Sequence, residues 1–62
     1  MLSTQQHHTL LTAQHFGGDF MRKLAAAGLA ADPLNREVIF AHFPELRQAY
    51  GPGSAFYTEE LG

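Results

Sequence analysis

Ala31-Asp32-Pro33-Leu34 is the stretch on which the fold turns. An aspartate can accept the orphan amide hydrogens of a helix's first turn, and a proline at the first helical position has no amide hydrogen to lose. One helix therefore ends before Asp32 and another begins at Pro33. Upstream, Ala13, Phe16, Phe20, Leu24, Ala27 and Ala31 recur at spacings of three and four, which places them on one face at 3.6 residues per turn. Asp19 precedes Arg22 and Lys23 by three and four positions on the other side of this segment, a favourable charge order on a solvated helix face.

Gly17-Gly18 decides how far back the first helix reaches, because each glycine costs about 1 kcal/mol relative to alanine in a helix interior. In one reading Ser3 caps the helix, with Gln6 completing a capping box, and the helix runs through the glycines to about Leu29. In the other the glycines break the chain, the helix starts at Asp19, and Thr9-Leu10-Leu11-Thr12 is a short strand or a separate turn. The spacing from Phe16 to Phe20 keeps phase across the glycines and favours the continuous helix. Gly17 and Gly28 would then permit close approach of a second backbone.

Downstream, Leu34, Val38, Ile39, Ala41, Phe43, Leu46 and Tyr50 follow a second stripe, with Asp32 and Arg36 placed to pair at i,i+4. Pro44 lacks the amide hydrogen owed to the carbonyl of Phe40 and clashes with it, so two short helices are expected, about 33–43 and 44–50. Tyr50-Gly51-Pro52-Gly53-Ser54 is a stop, leaving a tail over 51–62 that carries Phe56 and Tyr57. The expected architecture is all-α: a small helical hairpin whose second helix is kinked or broken at Pro44, followed by an aromatic C-terminal tail. Phe16, Phe20, Leu24, Val38, Ile39, Phe43 and Leu46 form the expected core.

Sixty-two residues allow one small domain, over 1–62. Hydrophobic residues at 45% and charged residues at 16% indicate a chain that folds and leaves apolar surface over. The absence of cysteine removes disulfides, thiolate metal sites and cysteine nucleophiles, and no stretch reads as a leader or a membrane span, so the cytoplasm is the expected compartment. A net charge of −2 is too small to draw phosphates to the whole surface or to imitate a phosphate backbone.

The four histidines raise a metal site, with His15 and Asp19 at i,i+4 on a continuous helix. His8 would stand about 10 Å from His15 by helical rise, too far to share an ion, so neither a metal nor a cofactor is expected. No serine or threonine lies in a strained strand-to-helix turn, and no glycine pair has phosphate-loop spacing, so no enzymatic activity is expected. Arg22, Lys23, Arg36 and Arg47 could form a basic patch on a helix–turn–helix. The helix from Pro33 reads as buried surface, however, and DNA binding or transcriptional regulation stands second.

The apolar excess is the most informative feature. Seven aromatic residues exceed what a two-helix hairpin can cover, since each helix hides one stripe. Phe40 falls off the Ile39–Phe43–Leu46 stripe, and Phe56-Tyr57 lies beyond the helix stop. Phe40, Tyr50, Phe56 and Tyr57, with Arg36 and Arg47, are the expected partner-binding residues. A host protein or protein complex and a second copy of the chain both fit as partners; a membrane does not.

Leu29-Ala30-Ala31-Asp32-Pro33-Leu34-Asn35-Arg36, followed by Phe43-Pro44-Glu45-Leu46 and Tyr50-Gly51-Pro52-Gly53-Ser54-Ala55-Phe56-Tyr57, resembles small proteins encoded in proteobacterial prophages and other mobile elements, over roughly the C-terminal half. The resemblance implies a small phage-borne accessory protein that binds and blocks or redirects a host protein, a group in which anti-CRISPR inhibitors are the best-known class.

Overall fold

A computed structural model describes residues 4–61. Four helices follow one another, α1 Thr4–Phe16, α2 Asp19–Ala30, α3 Pro33–His42 and α4 Glu45–Tyr50, and there is no strand among the described residues. The fold is all-α. The capping box expected at Ser3 lies outside the described residues.

The continuous N-terminal helix is not what forms. α1 ends at Phe16, the Gly17 amide closes its last turn on the carbonyl of Ala13 at 2.8 Å, and Gly18 is extended before α2 begins. The break lets α1 fold back onto α2, so that Leu10 and Ala13 meet Ala25 and Gly28 and leave water together. An unbroken helix would have kept those faces apart, and burial outweighs the helical turn surrendered at the glycines. The stretch from Thr9 to Thr12 is helical, neither strand nor turn: the hydroxyls of Thr9 and Thr12 donate to the carbonyls of Gln5 and His8, each at 2.7 Å.

At Gly28 the backbone of α2 meets a side chain of α1. A Cβ there would stand 2.7 Å from Leu10 Cδ2, so the glycine is the socket in which the Leu10 side chain sits.

The Asp32-Pro33 boundary forms as the sequence implies. Asp32 is extended and its carboxylate accepts from the Asn35 amide at 3.3 Å and from Asn35 Nδ2 at 2.6 Å, while Pro33 opens α3. Asp32→Ala is expected to cost about 1 kcal/mol, read as a lower urea midpoint with an unchanged slope.

Arg36 does not pair with Asp32. Its side chain turns inward, only 2% exposed, and Nε donates to the carbonyl of Gly28 at 2.7 Å while Nη2 reaches those of Leu29 and Ala31 at 3.3 and 3.5 Å. These carbonyls belong to the end of α2, where a helix has acceptors without partners and the negative end of its dipole. A residue of α3 thus caps α2 and locks the two helices together. Nη1 has no hydrogen-bond partner among the described residues.

The inward turn of Arg36 decides which face of α3 is buried. Phe40, one turn on, is 3% exposed and joins Leu10, Ala13, Ala25 and Leu46 in the core. Leu24, Ile39 and Phe43 pack partly buried against that core, as Met21, Leu29 and Tyr50 do. Phe16, Phe20 and Val38, expected inside, are 46%, 59% and 49% exposed. The helix of Pro33–His42 offers two apolar stripes, and its Leu34–Val38 stripe faces solvent because the other one carries Arg36 to its carbonyls.

At Pro44 the chain breaks and restarts. Phe43 still bonds to Ile39 at 2.9 Å, then the Pro44 carbonyl accepts from the amides of Arg47 and Gln48 at 3.1 Å as α4 begins. The second helical stretch starts at Glu45, one residue after the proline. The Gly51 amide closes α4 on the Arg47 carbonyl at 2.9 Å.

Candidate aromatic surface

The break at Gly17-Gly18 places Phe16 at the end of one helix and Phe20 near the start of the next, at the tip of the α1–α2 hairpin. Phe56 lies stacked on Phe16, with ring centroids 5.2 Å apart and planes at 27°, and its other neighbour is Tyr50 at 6.0 Å. The His15 ring meets Phe16 edge-on at 4.6 Å. Phe20 leans on Phe43 at 5.8 Å. These spacings suit offset and edge contacts between rings. They leave Phe16, Phe20 and Phe56 about half in water, each with a face or edge open to another molecule.

The segment after Gly51 holds Phe56 in place. Thr12 Oγ1, while donating to the carbonyl of His8, accepts from the amide of Thr58 at 3.4 Å. Leu61, with Leu11, Gln14 and His15, lines a shallow cleft of ≈ 230 Å³. From Phe56 through Thr58 to Leu61 the segment lies against the C-terminal half of α1, between Leu11 and Phe16.

Tyr57 donates to Glu59 Oε2 at 2.6 Å. That hydrogen bond, then loss of water around the phenol and the negative charge of Glu59, pushes its pKa from 10.0 up to about 12. The shifted group is the neutral phenol, so the bond's contribution is complete below pH 10.0 and is lost as pH rises through about 12. In a Tyr50→Phe background, tyrosinate absorbance should appear near pH 12, and Glu59→Gln should bring the titration back toward 10.0.

No family model, curated protein or solved structure matches this chain.

The charged groups fall as follows. Arg22 and Lys23 both reach Asp19, at 3.3 and 3.2 Å, with all three side chains mostly in water, so the pairs contribute little to stability. Arg47 lies over the ring of Phe40, its guanidinium carbon 4.7 Å from the centroid. Two expected partner-binding residues are corrected: Phe40 and Arg36 are interior groups, consumed by the core and by the α2 carbonyls. Tyr50, Tyr57, Phe56 and Arg47 lie where another molecule can reach them. Phe16 and Phe20 join that surface although their spacing read as core. The signal in the sequence is the glycine pair between them, which interrupts the helical stripe.

The histidines are dispersed. His8 Nδ1 lies 2.9 Å from the carbonyl of Thr4 and its ring is edge-on to His7, while His15 and Asp19 fall on different helices. No group of three or more histidine, aspartate or glutamate side chains converges among the described residues. No helix there is long and apolar enough to cross a membrane.

Proposed function

We propose that this chain acts by stoichiometric, non-catalytic binding to another protein, and that its docking surface is the ring surface of Phe16, Phe20 and Phe56, with Tyr50 and Tyr57 beside it. The observation that carries this reading is the exposure of large apolar side chains: Phe16 46%, Phe20 59%, Leu34 73%, Val38 49% and Phe56 49%. Leaving so much apolar area in water forgoes the roughly 25 cal/mol per Å² that burial returns, and covering it is the work of a partner. Rings held by other rings lose little rotamer freedom on docking, which suits them as binding anchors. Following the sequence resemblance, the partner is a host protein or complex that the bound domain blocks or redirects, as anti-CRISPR inhibitors do.

The second reading, a DNA-binding regulator, loses ground to the placement of the basic groups. Arg36 faces inward, and the charge of Arg22 and Lys23 is offset in part by Asp19 between them, so no continuous basic patch forms from the four groups. Salt separates the two readings. Binding of the labelled chain to fractionated proteobacterial lysate should survive from 50 to 500 mM salt if rings carry it. Affinity that collapses over that range and follows nucleic acid through nuclease treatment would favour the regulator.

A further inference from the structure

The outward face of α3 combines an apolar stripe with charge of one sign. Leu34, Val38 and Ala41, spaced four and three apart, line the side of the helix away from the buried Arg36 and Phe40, and all three are exposed. From 24 to 46 the chain has three carboxylates, Asp32, Glu37 and Glu45, and a single Lys or Arg, which is Arg36. The inward turn of Arg36 that leaves the stripe outside also takes that cation to the end of α2. The three carboxylates are exposed, and none is in an ion pair among the described residues. Glu37 stands beside the stripe, three residues after Leu34 and four before Ala41, and its Oε1 accepts from Gln6 Nε2 at 3.0 Å, which orients the carboxylate. Asp32 lies at the N-terminal end of the helix and Glu45 past its C-terminal end. Arg22 and Lys23 are on α2 with Asp19, and Arg47 lies over the Phe40 ring, on the buried side of α3. His42, in the last turn, is the one other basic group on α3.

We propose that this face of α3 docks a cationic amphipathic helix of the partner protein, whose apolar side chains cover Leu34 and Val38 while flanking Lys or Arg residues meet Glu37, Asp32 and Glu45. The inference rests on the reading that the chain acts by binding another protein, and it adds the chemistry of that partner. Side chains at i, i+4 and i+7 form the ridge against which a second helix packs. The sign of the charge selects the occupant. A nucleic acid or an anionic membrane would bring phosphates against three carboxylates, and a second copy docked face to face would bring three more carboxylates, so like charge opposes each of them. Exposed ion pairs contribute little affinity, so the stripe supplies most of the energy and the carboxylates choose between partners. Salt therefore weakens the contact a few-fold without abolishing it.

The test titrates the full-length, isotope-labelled chain with two synthetic helical peptides of about 14 residues, alike in a leucine stripe that is flanked by lysines in one and by glutamates in the other. Amide shifts should gather on α3 around Leu34, Glu37 and Val38. At about 50 mM salt the lysine peptide should bind at least about tenfold more tightly than the glutamate peptide, a ratio that narrows to about threefold at about 500 mM. Leu34→Ser should weaken the lysine peptide about tenfold, as expected for one leucine left uncovered. Glu37→Gln, which keeps the acceptor for Gln6 and loses the charge, should weaken it about threefold. Both positions are exposed, so both variants should melt as the native chain does. Shifts that gather on Phe16 and Phe56 with α3 unmoved would leave the ring surface standing and overturn this proposal. So would equal binding of the two peptides, no binding of the lysine peptide at millimolar concentration, or binding to phosphatidylserine vesicles as tight as to the lysine peptide.

Discussion

Arg36→Met should destabilise the domain by about 3 kcal/mol or more, at least a third of the roughly 3–9 kcal/mol that a chain of this length holds in all. The methionine matches the stem of the arginine and keeps its packing. What it removes is the donor set that reaches Gly28, Leu29 and Ala31. Replacing a buried charged pair by apolar groups is often neutral, because both partners leave together. Here the acceptors are backbone carbonyls that cannot leave, and they stay at the end of α2 with fewer donors. Arg36→Lys retains a charge but presents a compact ammonium in place of the planar fork that spans several carbonyls, and about half the loss should remain. Urea titration followed by circular dichroism reads both variants; a midpoint for Arg36→Met within 0.5 M of the native chain would contradict the role given to this side chain.

Leu10→Ala should cost about 3 kcal/mol, within the 2–5 usual for emptying a packed leucine site, because Leu10 is wholly buried between α1 and α2. Its coupling to Gly28 is the sharper expectation. Gly28→Ala puts a methyl 2.7 Å from Leu10 Cδ2, an overpacking cost of about 1–3 kcal/mol partly offset by the higher helix propensity of alanine. In the double variant the methyl enters the space that the leucine vacated. The two substitutions together should therefore cost about 1 kcal/mol less than their sum, measured as a double-mutant cycle by thermal melts. Strict additivity would mean that Leu10 does not sit in the Gly28 socket.

The sequence was most legible where a single residue type answers a local need. Asp32-Pro33 named its own boundary because a cap and a first-turn proline act on the backbone at that position. Pro44 and Gly51 ended helices for the same kind of reason. Periodicity failed where the choice was tertiary. Phe16 and Phe20 are in phase, but spacing does not record that a break at Gly17-Gly18 lets Leu10 and Ala13 bury against Ala25 and Gly28. On the helix from Pro33 two apolar stripes were present, and the one containing a charged residue was the one that went inside. A lone arginine reads as a solvated or partner-facing group, since nothing in the chain sequence shows that carbonyls at the end of the preceding helix will stand within reach of it.

The surface was half legible by the same logic. Phe56 and Tyr57 read as outward because they follow a helix stop, and Phe56 is about half exposed. The stacking of Phe56 on Phe16 depends on the tail returning along α1, a long-range contact that no local signal announces.

The most direct measurement compares the native chain with Phe20→Ser/Leu34→Ser, in which two exposed apolar side chains are made polar without touching the buried core. Both are immobilised and challenged with the same proteobacterial lysate, and bound proteins are quantified by mass spectrometry after melts show that the two chains are equally folded. A protein enriched about tenfold or more on the native chain and lost from the variant is the predicted result; identical capture by both, or no specific capture by either, would contradict the claim that exposed apolar side chains are how this chain acts.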